Sequence, residues 1–146
     1  MARRSEVRKV YSVDVSYAAA EYQRENVRLN GVENVVEPIL GDAAGIIKAG
    51  LRDVAHRVLM PLPERALQYL GYAIIALRPG EGGIHYYEHI SASRDEDPIR
   101  EVEKRASRKM AELGLDFKVS LGRVVRTVGL RRFQVVLGLL VHKEYL

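Results

Sequence analysis

The stretch Val7-Arg8-Lys9-Val10-Tyr11-Ser12-Val13-Asp14-Val15-Ser16 decides the fold. Val10, Tyr11 and Val13 favour a pleated, half-buried strand, with Asp14 near its end. Ser16 is a residue type that caps a helix, because its hydroxyl accepts a bond from a backbone N–H of the first turn. The helix it opens runs to about Leu29 and stops at Asn30-Gly31, two residues that tolerate positive φ.

The same alternation continues outward. Val35 to Leu40 reads as a second short strand ending in Gly41-Asp42, followed by a short helical segment through Lys48 that closes near Gly50. His56 to Met60 is a third apolar run, halted by Pro61-Leu62-Pro63. Leu67, Leu70, Ile74 and Leu77 recur at helical spacing, and Arg78-Pro79-Gly80 ends that helix. Gly83 to His89 is a fourth strand, and Ser91 to Asp97 a polar loop. Asp97-Pro98 opens another helix, with Asp as cap and Pro at the first position. Its apolar stripe is Ile99, Val102, Ala106, Met110 and Leu113, closed by Gly114. Two strands finish the chain, Asp116 to Thr127 and Arg132 to Val141. They leave no room for a crossover helix between them, so they are expected to be antiparallel. The order predicts a single α/β domain over residues 1–146, with a mainly parallel sheet, helices on both faces and an antiparallel C-terminal strand.

With 47% hydrophobic and 29% charged residues, the 146-residue chain is globular rather than disordered, and long enough for a core. Its apolar runs, such as Tyr69 to Leu77, are about half the ~20 residues of a membrane span, so no membrane partner is expected. The absence of cysteine excludes disulfides and thiolate metal sites and favours a cytoplasmic setting. A net charge of +4 is concentrated toward the two ends, including Arg3, Arg4, Arg8, Lys9, Arg123, Arg126, Arg131 and Arg132. Such an excess assists encounter with an anionic partner such as RNA, although charge alone is better explained by a solvated surface.

In alternating α/β sheets ligands bind at the carboxyl ends of the strands, where Asp14 and Asp42 both stand. Asp14 is placed to accept bonds from both ribose hydroxyls of a nucleoside, and Asp42 to meet the amino edge of an adenine. Each alone reads as a turn or capping acid; the two together, at successive strand ends, favour a nucleoside pocket. Met60-Pro61-Leu62-Pro63 is stiff and poor in backbone donors, so it suits either a flat base or a rigid connection into the next helix. Alternation puts His85, Tyr87 and His89 on one face of their strand and Tyr86 and Glu88 on the other. No HExxH spacing, nucleophile elbow or phosphate loop is present, and no metal is expected.

The segments Val10 to Ala18, Glu25 to Asn34, Ile39 to Asp42, Arg57 to Pro63, Gly82 to Glu88 and Arg123 to Arg126 follow in order along nearly the whole chain. Together they resemble the Rossmann-like class I methyltransferase domain of archaeal and eukaryotic tRNA (guanine-N1)-methyltransferases. That family also includes wybutosine-pathway enzymes that transfer an aminocarboxypropyl group. The resemblance implies S-adenosylmethionine as cofactor, tRNA as partner and methylation of the guanosine beside the anticodon. It implies that Asp14 binds the cofactor ribose and that Asp42 lies by its adenine. Pro61, Leu62 and Pro63 match the Asn-Leu-Pro motif beside the target base. Pro61 stands in place of the Asn and carries no side-chain amide.

Residues 1–9 contain no counterpart of the family's first strand, its glycine-rich loop, its proposed glutamate base or its substrate-contacting arginine. The expected sheet therefore lacks a central strand between the one ending at Asp14 and the one ending at Met60. It is to be filled by a complementing chain or a second copy, closed by direct pairing, or explained by truncation. The alternative functions are a non-catalytic RNA- or partner-binding module and aminocarboxypropyl transfer.

Overall fold

A computed structural model of the chain describes residues 5–144. It divides into two compact units, Met1–Ala49 and Gly50–Leu146.

The first unit is a βαβα segment: β1 Val10–Asp14, α1 Tyr17–Leu29, β2 Val36–Leu40 and α2 Ala43–Gly50. β1 and β2 pair in parallel, with Val10 opposite Val36 and Asp14 opposite Leu40. The Ser16 hydroxyl caps α1 by accepting from Ala19 N at 3.3 Å. At the other end, Gly31 takes φ +64°, and the Asn30 N–H bonds the Asn26 carbonyl at 3.0 Å. Gly41 has φ +152°, and a Cβ there would lie 2.7 Å from Ile46 Cδ1. Only glycine turns the chain out of β2 and into α2 at this point.

The second unit contains β3 Arg57–Met60, α3 Ala66–Ala76, β4 Gly80–Ser91, α4 Pro98–Glu112, β5 Phe117–Gly129 and β6 Arg132–Lys143. Its strand order is β3-β4-β6-β5. β3 is parallel to β4, and β6 is antiparallel to both β4 and β5. The α/β fold with a mixed sheet thus agrees with expectation, its parallel character residing in β1–β2 and β3–β4. The closing pair is antiparallel, as the short Gly129-to-Arg132 connection requires. Among the described residues, β1 pairs with β2 alone and β3 with β4 alone, so the two ladders are separate.

Both helices of the second unit cover one face of its sheet. That face presents Gly82, Ile84, Tyr86 and Glu88 of β4 beside Val141, Leu139, Leu137 and Val135 of β6. Against it lie Leu70 and Ile74 of α3 and Val102, Ala106 and Met110 of α4. The α4 stripe follows the expected spacing, and its cap is the expected one: Asp97 Oδ1 accepts from Ile99 N at 3.0 Å, with Pro98 at the helix start. Leu113 ends the stripe as a C-cap residue and is 38% exposed. α3 is apolar on nearly every side and sits so close to β4 that a Cβ on Gly82 would lie 2.8 Å from Leu77 Cδ2. No helix is long and apolar enough to cross a membrane.

The last residue of β6 fastens the end of α3. Lys143 Nζ donates to the carbonyls of Ile74, Ile75 and Leu77 at 3.1, 3.2 and 2.9 Å, and to Asp53 Oδ1 at 2.5 Å. A cation there satisfies carbonyls that a helix terminus leaves open and complements its dipole. Replacing Lys143 with Met is expected to destabilise the chain by about 1–3 kcal/mol, since the carbonyls lose a charged donor. The urea midpoint measures this.

Candidate functional site

The two acids read from the sequence lie at the same end of the β1–β2 pair. Asp14 closes β1, and its carbonyl accepts from Gly41 N at 2.9 Å, which brings the end of β1 against the turn that carries Asp42. Asp14 Oδ1 accepts from Ser16 N at 2.8 Å, a local turn that fixes the carboxylate at the strand end. Asp42 Oδ2 accepts from Gly45 N at 3.3 Å, in the first turn of α2. Both acids therefore serve the backbone, as the local reading allowed. A carboxylate offers two oxygens and about four acceptor sites, so the bond to Ser16 does not exhaust Asp14. Asp14 is half-buried and Asp42 exposed.

In the second unit, Pro61 and Leu62 follow β3 and are exposed, Leu62 at 55%. Pro63 opens a turn into α3 in which the Leu62 carbonyl accepts from Arg65 N at 3.2 Å. The segment is thus both a rigid connection and an exposed surface at the carboxyl end of a strand. Pro63 also borders a cleft of about 520 Å³ whose other walls include Leu67, Glu88, Arg105 and Arg108.

That cleft exposes a buried charge that sequence reading did not pair. Glu88 is only 4% exposed. It accepts from the Tyr86 hydroxyl at 2.7 Å and from Arg105 Nη1 at 2.8 Å. A buried carboxylate requires such partners. The alternation of Tyr86 and Glu88 on the helix-facing side was legible, whereas the contact with Arg105, on a separate helix, was not. His85, Tyr87 and His89 occupy the opposite face, as expected. Burial, then the neighbouring Arg57 charge, holds the His85 imidazole toward its neutral form. His56, which has no partner nearby in sequence, faces Arg78: its Nε2 accepts from Arg78 Nη1 at 3.1 Å.

Burial first, then the bond to Glu88, raises the Tyr86 phenol above its ordinary value of 10.0. A raised native value means that the unfolded tyrosine loses its proton while the folded one keeps it. The stabilisation from this group is complete below pH 10 and declines above it, by about 1.4 kcal/mol per pH unit. Urea titrations between pH 9 and pH 11 are expected to show this slope, and Tyr86→Phe to remove its tyrosine component.

Comparison with known proteins completes the picture. Residues 1–114 match the family model described as the TRM5/TYW2 methyltransferase domain. tRNA (guanine(37)-N(1))-methyltransferase Trm5b of Pyrococcus abyssi is 33% identical over 138 residues, 94% of this chain and 38% of that protein. tRNA(Phe) (4-demethylwyosine(37)-C(7)) aminocarboxypropyltransferase of Methanocaldococcus jannaschii is 31% identical over 120 residues, 82% of this chain and 46% of that protein. The chain thus spans less than half the length of either relative. The crystal structure of M. jannaschii TYW2 in complex with AdoMet superposes with a TM-score of 0.77 at 26% identity, covering 93% of this chain and 58% of that one. With a match over most of its length and the fold to go with it, the chain belongs to the TRM5/TYW2 methyltransferase domain family.

Proposed function

We propose that this chain is the nucleoside- and base-holding part of a tRNA-modifying enzyme that uses S-adenosylmethionine to methylate guanine N1 beside the anticodon. The observation that carries the reading is that Asp14 and Asp42 stand at the same end of two parallel strands, with Gly41 N–H bonded to the Asp14 carbonyl. On this reading Asp14 accepts from the ribose hydroxyls and Asp42 lies by the adenine amino edge. The acceptor-only character of ionised carboxylates fits hydroxyl and amino donors. Pro61, Leu62 and Pro63 present a stiff surface to the target base. Both units then belong to one catalytic domain.

When bound, the cofactor would supply an electrophilic methyl group for the base nitrogen. The residues named here bind and orient. Retention of Leu62-Pro63 favours methyl transfer, while the 31% identity to an aminocarboxypropyltransferase supports the second reading. Product mass separates the two. A module that binds RNA without catalysis would bind no cofactor.

Calorimetric titration with S-adenosylmethionine tests the pocket. Asp14→Ala removes charged hydrogen bonds of about 1.5–3 kcal/mol, so affinity is expected to fall by roughly 10- to 100-fold. Equal affinity in the variant would remove Asp14 from the site.

A further inference from the structure

The sheet of the second unit does not end level. β3 stops at Met60, opposite Tyr86, whereas β4 continues for five residues from Tyr87 to Ser91, always paired with β6. β5 accompanies β6 to its turn, with Gly129 opposite Arg132. Three strands therefore project about 17 Å past the end of β3, at ~3.4 Å per residue. Because β5, β4 and β3 run in the same direction, this arm extends from the sheet end at which Pro61 leaves β3.

The arm is basic. Its β5 and β6 stretches, Arg123 to Val136, carry Arg123, Arg126, Arg131 and Arg132 but no Asp or Glu, and the arm's one acid on β4, Glu88, lies on the helix-facing side in an ion pair with Arg105. A register irregularity between Val124 and Arg126 sorts these charges. Arg123 and Arg126 are three apart, so in a regular strand they would point to opposite faces. Here Arg123 lies opposite Val136 and Arg126 opposite Gln134, two positions apart on β6 and hence on one face. Arg132, paired with Ser91, shares that face. It is the face turned away from α3 and α4, and all three arginines are exposed.

Among the described residues, none of the three forms an ion pair. Among the described strand residues on this face, the carboxylate is Glu81, at the far end of β4. Three nearby acids belong to the 92–97 loop. Of these, Asp97 caps α4, and Glu96 holds Ser93 N at 2.8 Å. Arg131 is occupied: it donates to the carbonyls of Ala92 and Ser93 and lies over Phe133, which ties the loop to the arm. Arg126 donates to the Gln134 side chain at 2.9 Å, across the β5–β6 ladder.

We infer that this β4–β6–β5 arm is an RNA-docking surface, on which Arg123, Arg126 and Arg132 hold the phosphodiester backbone while the target base is presented at the Pro61–Pro63 segment. The inference rests on the proposed tRNA-modifying role and adds the surface that would hold the RNA. Guanidinium groups suit phosphate because they donate in pairs in a fixed plane. Phosphate contacts position the nucleic acid and make binding depend on salt.

The test uses the full chain, an unmodified tRNA transcript and a salt series, with S-adenosylmethionine titration in parallel. In the Arg123→Ala/Arg126→Ala/Arg132→Ala variant, the slope of log affinity against log salt is expected to fall by about 2, at ~0.7 per single-stranded phosphate contact. RNA affinity should drop at least tenfold at constant cofactor affinity. Replacing the same three residues with Lys should recover most of the slope and part of the affinity. If wild type binds the transcript and the Ala variant binds it with the same affinity and slope, the arm is not the docking surface, while the proposed function stands. If wild type binds cofactor but no RNA, the arm fails together with the tRNA reading; if it binds RNA but no cofactor, only the catalytic reading fails. Single Arg123→Ala and Arg126→Ala variants, expected to lower the slope by about 0.7 each, keep the question open to refutation should the triple variant not fold.

Discussion

The uninterrupted ladder between β4 and β6 is the constraint on which the second unit depends. Twelve residues of each strand are in register, from Gly80 opposite Lys143 to Ser91 opposite Arg132. Strict alternation along such a ladder assigns every side chain to a face, and a slip by one residue would exchange the two sets. The helix-facing set is Ile84 and Tyr86 with Leu137 and Leu139, all essentially inaccessible. Placing Glu88 in that same set obliges α4 to supply Arg105. Placing Lys143 at the end of the ladder delivers an ammonium to the last carbonyls of α3. Ladder register thereby fixes how both helices sit.

Much of this order is local chemistry and was legible from the chain. Ser16, Asn30-Gly31, Asp97-Pro98 and Gly114 act within one helical turn, and each delimits its helix where the sequence indicates. The apolar spacing of Val102, Ala106 and Met110 likewise reports a buried stripe. What the chain order does not carry is contact across long separations. Arg105 reaches Glu88 from another element, and Lys143 meets Asp53 ninety residues away. Nor does the run Val124-Val125-Arg126 signal a bulge, since consecutive β-branched residues fit a regular strand equally well. The insertion of β6 between β4 and β5 follows from pairing that no local pattern specifies.

The candidate site divides in the same way. That Asp14 and Asp42 stand at strand ends follows from the βα alternation. That Gly41 links them through the Asp14 carbonyl is a consequence of the parallel β1–β2 register. Their bonds to Ser16 and Gly45 show how a turn acid is held in place: the backbone fixes the carboxylate before any ligand arrives. Pro61 carries no side-chain amide, so the exposed segment after β3 offers shape and backbone carbonyls.

The irregular register of β5 has a second consequence, for the free edge of its sheet. β5 is the outer strand of its sheet, and its exposed side chains include Val119, Leu121, Val124 and Val125. A straight apolar edge of this kind is a template on which another molecule's strand can align, and hence a route to aggregation. Three breaks in register, at Val119/Leu121, Val124/Arg126 and Thr127/Gly129, twist the edge and interrupt its row of backbone donors and acceptors. An incoming strand would find few consecutive groups in phase, so these irregularities blunt the edge as a pairing template.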